Sequence, residues 1–132
     1  MLSIGYKSIN VIRKWRGSVK TRRRIKKYIS SGRAPYSEGY NDYKRSVLKD
    51  IIYDNNILDL FFNNKQLPEN YGFRLDERIV EYPWILSKIG LGEKTILDAG
   101  SVLNSSDILN HPSVQNNNLV IYNLSAEKFI YN

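Results

Sequence analysis

Two kinds of hydrophobic spacing divide this chain. Toward its C-terminal end, Ile96–Ser101 (Ile-Leu-Asp-Ala-Gly-Ser) and Leu119–Leu124 (Leu-Val-Ile-Tyr-Asn-Leu) are short apolar runs, and each predicts a strand. Between them, Ser105-Ser106-Asp107-Ile108-Leu109 predicts a helix, with a serine to cap it and Asp107 in its first turn. Pro112–Asn118 is expected to be loop, so this part has the outline of a βαβ unit.

Upstream the spacing turns helical. Tyr40, Tyr43, Val47 and Ile51 predict an amphipathic helix over Tyr40–Tyr53 with Ser37 as its cap, and Ile57–Phe62 predicts a further helical turn. Leu75–Ile89 contains Pro83, which lacks the N–H a helix interior needs. This segment is therefore expected to divide into one helix ending near Tyr82 and another starting at Pro83-Trp84. Within it Glu77 and Glu81 stand four apart, and Arg78 can pair with Glu81 at three apart. A structural ion pair is the favoured reading; a pocket lining is the alternative. Tyr40, Tyr43 and Tyr53 are expected to pack rather than to stack on a substrate.

The pattern near the N-terminus is apolar beneath a dense positive charge. Ile12, Trp15 and Val19, and then Ile25, Tyr28 and Ile29, recur at helical spacing, interrupted by Gly17. Residues 1–50 hold 14 Lys/Arg against 3 Asp/Glu, net +11, whereas residues 51–132 hold 6 against 10, net −4; together they give the chain's +7. Three readings of Arg13–Lys27 follow: a solvated basic helix or arm, adsorption to an anionic membrane surface, or nucleic-acid binding through phosphates. Ser30-Ser-Gly-Arg-Ala-Pro35 is the clearest linker. The expected organisation is a basic helical arm with its linker over 1–34, a helical lead-in over 35–90, and a sheet-bearing unit over 91–132.

Composition narrows the chemistry. A chain of 132 residues with 42% hydrophobic residues is sufficient for one packed domain. With no cysteine there is no disulfide framework, thiolate metal site or catalytic thiol, and no apolar run is long enough to predict a membrane span. A cytoplasmic location, peripheral to a membrane if the basic arm attaches, is the expectation. His111, the only histidine, precedes Pro112 in an expected loop and cannot anchor a multi-histidine metal site. Neither a Gly-x-x-x-x-Gly-Lys-Ser/Thr phosphate loop nor a Gly-x-Ser-x-Gly nucleophile turn occurs.

What remains is the junction at Asp98-Ala-Gly100-Ser101. A strand ending in an acid and then a glycine is how many nucleotide sites open, because glycine permits a sharp turn and close approach of backbone to ligand. Glu127, just beyond the second strand, stands where a carboxylate grips ribose hydroxyls. Its separation of 27 from Gly100 exceeds the usual spacing of about 20.

Leu97-Asp98-Ala-Gly100-Ser101, Asn-Leu-Ser-Ala-Glu127, Leu67-Pro-Glu-Asn-Tyr-Gly72 and Leu75-Asp-Glu-Arg-Ile-Val-Glu-Tyr-Pro-Trp84 together resemble a group of bacterial class I S-adenosylmethionine-dependent methyltransferase-like proteins, over roughly residues 36–130. The resemblance implies an α/β chain in which a helical N-terminal region leads into the first βαβ portion of a Rossmann-like methyltransferase fold. It implies S-adenosylmethionine as cofactor, bound by Asp98, Gly100, Ser101 and Glu127, and methyl transfer to an acceptor these residues do not identify. Where the family has Gly-x-Gly-x-Gly, this chain reads Gly100-Ser-Val-Leu-Asn104, so one glycine of three is kept. The full family sheet has about seven strands, and this chain reaches Asn132 soon after its second, which implies an incomplete unit, inactive alone, that an oligomer or a further C-terminal segment completes. The alternative class is a non-catalytic binding or interaction protein whose basic arm meets a membrane or nucleic acid. A dinucleotide-dependent oxidoreductase fragment is disfavoured by the two absent glycines.

Overall fold

Ser18 opens the first helix by accepting a hydrogen bond from the Thr21 amide at 3.2 Å, and the chain then runs as α1 over Val19–Ser30. The computed structural model describes residues 18–90 and 92–123. After α1 come α2 (Tyr40–Ile52), α3 (Asn55–Phe62) and α4 (Arg78–Ile89), then β1 (Thr95–Ala99), the short helices α5 (Ser106–Leu109) and α6 (Pro112–Gln115), and β2 (Asn118–Tyr122). The two strands are parallel, with Leu97 opposite Val120 and Ala99 opposite Tyr122. The protein is thus α/β: a helical layer joined to a two-stranded parallel sheet among the described residues. No described helix is long and apolar enough to cross a membrane.

The core lies between the helices. Leu48, Ile51 and Ile52 of α2, Ile57 and Phe61 of α3, and Ile79, Tyr82, Leu86 and Ile89 of α4 meet Leu103, Ile108 and Val114 from the connection between the strands. Burial of such side chains contributes about 1.5–3 kcal/mol each relative to exposure, which is why the helical spacing in the sequence is realised. From the sheet, Ile96 and Leu119 turn inward onto this core. Leu97, Val120 and Tyr122 face outward, 66%, 45% and 59% exposed.

Five expectations need correction. The described part of the expected arm is docked: Ile25 and Tyr28 are buried, Tyr28 meets the Tyr40 ring edge-on at 5.9 Å, and Arg24 grips Asp42 through two bonds of 2.6 and 3.1 Å. The physical reason is that the apolar stripe of α1 has a partner in α2. Close approach is possible because Gly39 stands at the crossing, where a Cβ would lie 2.2 Å from the Arg24 carbonyl oxygen. Gly39, with φ +87°, also replaces Ser37 as the residue preceding α2; the Ser37 hydroxyl is buried and makes no hydrogen bond among the described residues.

The expected break at Pro83 is absent, since α4 passes through it. Proline leaves the carbonyl four residues back without its helical donor, here Ile79. The Tyr71 hydroxyl donates to that carbonyl at 2.8 Å and supplies the missing bond. Burial pushes the Tyr71 phenol well above its ordinary range, assisted by the negative charge of Asp54, so it stays a donor. Finally, part of the expected Pro112–Asn118 loop is α6. Pro112 occupies its first position, where a missing N–H costs nothing, and the His111 ring accepts from the Ser113 amide at 3.2 Å. The expected second strand also starts one residue early, at Asn118.

Candidate functional site

Both strands end at one edge, where the turn after β1 begins. Asp98 faces inward in β1 and is buried, at 7% exposure. One carboxylate oxygen accepts from the Val102 amide at 3.0 Å and the other from the Leu103 amide at 2.7 Å. A buried carboxylate requires such partners, and here they come from the turn that follows it. Asp98 therefore shapes residues 99–103 through one hydrogen bond to each of its carboxylate oxygens.

Gly100 leaves the strand with φ +126°, a conformation L side chains rarely adopt. Its amide donates to the Tyr122 carbonyl at 2.9 Å and ties the turn to the end of β2. A Cβ built on Gly100 would meet no atom within 4 Å, so the turn faces open space. Ser101 follows in the left-handed region, φ +63°, and its hydroxyl is buried without a hydrogen-bond partner among the described residues. For a residue with a side chain this backbone costs about 1–3 kcal/mol, and an unsatisfied buried hydroxyl adds to it. Val102, where a later fingerprint glycine is absent, packs its side chain against the core and so leaves the mouth of the turn clear.

The connection behind the turn is fixed by charge. Asp107, in the first turn of α5 as expected, accepts from Arg45 at 3.0 Å and lies 3.3 Å from Lys49, both on α2. His111 is buried beneath. Its Nδ1 accepts from Ser113, so the proton sits on Nε2, which donates to the Ile52 carbonyl at 2.9 Å. Burial lowers the His111 pKa from its ordinary value, and the ring has a packing role at the end of α2.

The acidic segment before β1 is likewise structural. Arg78 meets Glu81 at 2.5 Å, the pairing expected from their spacing, and Asp76 holds Lys44 at 2.6 Å. Burial and the neighbouring Asp76 push the Tyr40 phenol up to about 12. Tyr40 is in the core, and Tyr53 packs its ring 5.0 Å from that of His111. No group of three or more His, Asp or Glu that could hold a metal occurs among the described residues.

Of the four residues singled out from sequence, Asp98, Gly100 and Ser101 thus form one turn, and Glu127 lies outside the described residues, as do Leu124 and Arg13–Arg16. Sequence reasoning passed over Tyr122. It is the last residue of β2, in register with Ala99, its carbonyl anchors Gly100, and its ring is exposed beside the turn. Parallel pairing was the available signal, because it brings the C-terminal ends of neighbouring strands to the same edge. Comparison of the chain with models of protein families, with curated proteins and with solved structures found no match.

Proposed function

We propose that this chain carries the cofactor-opening part of a class I S-adenosylmethionine-dependent methyltransferase-like protein, acting on an acceptor still to be identified. The observation that carries the reading is the turn at Gly100-Ser101. It lies at the C-terminal edge of two parallel strands, where open α/β sheets take their ligands.

The residues present suit such a ligand in two respects. The space at Gly100 admits close approach to its backbone, and Ser101 continues the turn in the left-handed region, φ +63°. Gly100 and Ser101 would hold the cofactor directly. Asp98 would act one step behind them, keeping the turn in shape through the Val102 and Leu103 amides. Glu127 is the proposed partner of the ribose hydroxyls. When bound, S-adenosylmethionine supplies a methyl group on a positively charged sulfur. The protein's contribution would be orientation of that group and exclusion of water.

Calorimetric titration of the full chain with S-adenosylmethionine, S-adenosylhomocysteine and NAD tests the proposal. Binding of the two sulfur ligands, weakened by Asp98→Ala by about 1–3 kcal/mol through loss of the turn, is the expected result. Binding of NAD alone would overturn it in favour of a dinucleotide site. Binding of none would favour the non-catalytic interaction protein, in which the internally satisfied Asp98 simply caps a loop.

A further inference from the structure

Docking of α1 onto α2 divides its cations into two sets. The helix carries Lys20, Arg22, Arg23, Arg24, Lys26 and Lys27 and no acidic residue. Arg24 is matched by Asp42 and Lys27 by Glu38. Lys20, Arg22, Arg23 and Lys26 are exposed, and no described carboxylate pairs with them. At about 100° per residue, Arg23 and Lys26 project away from the buried Ile25 and Tyr28, and exposed Val19 lies on the same side. The same docking removes the apolar stripe of α1 from any interfacial role, since Ile25 and Tyr28 are already buried within the protein.

We infer that the outward face of α1, through Lys20, Arg22, Arg23 and Lys26, is an electrostatic attachment surface for an anionic lipid bilayer. Four uncompensated cations within about two helical turns match a layer of headgroup phosphates, each contributing modestly and additively. The sequence immediately before the helix argues for a bilayer over a nucleic acid. Leu2, Ile4, Ile9, Val11, Ile12 and Trp15 are interleaved there with Lys7, Arg13, Lys14 and Arg16, the composition that partitions into an interface. Stable attachment takes two signals, a charged patch and an apolar one, and this chain places both within its first 30 residues. The surface is independent of the turn at Gly100, so attachment stands or falls separately from cofactor binding.

Sedimentation of the full chain with phosphatidylcholine vesicles, with and without phosphatidylglycerol, tests the inference. Binding should require the anionic lipid and fall steeply as salt is raised from low to physiological strength. Replacing Arg22, Arg23 and Lys26 together with glutamine, a residue of comparable helix propensity, should lower the partition coefficient by about two orders of magnitude. A second triple replacement, Lys65→Gln with Lys88→Gln and Lys94→Gln, changes the net charge equally and should leave partitioning within about twofold of the original. Equal loss in both triple variants would overturn the inference, since net charge alone would then explain attachment. So would salt-insensitive binding of the unaltered chain, a result that does not depend on any variant folding. Tighter, patch-dependent binding to duplex DNA or RNA than to the anionic vesicles would overturn the assignment to a bilayer.

Discussion

The helical layer and the sheet use their side chains in opposite ways. In the helical layer the polar groups that face inward are spent on the fold: Arg24 on Asp42, Lys44 on Asp76, and Tyr71, from the segment before α4, on the carbonyl orphaned by Pro83. The sheet leaves Leu97, Val120 and Tyr122 exposed on one face and, among the described residues, the Ser101 hydroxyl without a bond at its end. Parallel strands are normally covered on both faces, and the runs Ile-Leu and Leu-Val-Ile-Tyr have the composition of strands that are. Stability is thus concentrated between the helices, whose unpaired cations among the described residues lie on the outward face of α1, while the sheet leaves apolar surface uncovered beside its turn, an arrangement suited to a rigid support for a site.

Breaking the helical side should give the largest effects. Gly39→Ala places a methyl group against the Arg24 backbone in a conformation alanine resists, and should cost about 4 kcal/mol. Chemical denaturation measures the loss, and hydrogen exchange should show α1 released first. Truncation then contrasts the two regions. Ile52→Ala, at a fully buried position in α2, should cost about 3 kcal/mol, whereas Leu97→Ala, at 66% exposure, should stay within about 0.5 kcal/mol. Comparable losses at the two positions would remove the contrast.

Smaller effects sharpen it. Tyr71→Phe leaves the Ile79 carbonyl without a donor and should cost about 1–2 kcal/mol, with little change in the packing of the ring on Phe61. A pH series reads His111. Burial holds its folded pKa below 6.5, so the stability of the neutral ring is present in full above that value. It is lost as pH falls below 6.5 toward the lowered folded pKa, because a proton on Nδ1 would confront the Ser113 N–H. Denaturation midpoints for the native chain should decline over that interval, while a His111→Asn variant should lack this component of the decline.

Most of the helical layer was legible in the sequence because its signal is local. Tyr40, Val47 and Ile51 repeat at helical spacing and are buried together or nearly so, and the Arg78–Glu81 pair follows from a separation of three. Both strands were equally plain from their apolar runs. What was missed depends on contacts between segments far apart in the chain. Pro83 reads as a break unless Tyr71, twelve residues earlier, is known to repair it. Gly39 reads as one more loop glycine unless α1 is known to cross there. The turn was legible as residue types in Asp98, Gly100 and Ser101. Its wiring was not, because Asp98 selects between a ligand and its own loop only once the chain has closed around it.

The seat of the donor at the end of β1 is the central claim, and amide NMR of the full chain titrated with S-adenosylhomocysteine tests it most directly. Saturable shifts should concentrate at Gly100–Leu103 and at Tyr122 and Asn123, with the amides of α1 and α3 unmoved. Saturable shifts confined to the helical layer, or no shifts at ligand concentrations that saturate binding sites of this class, would contradict it.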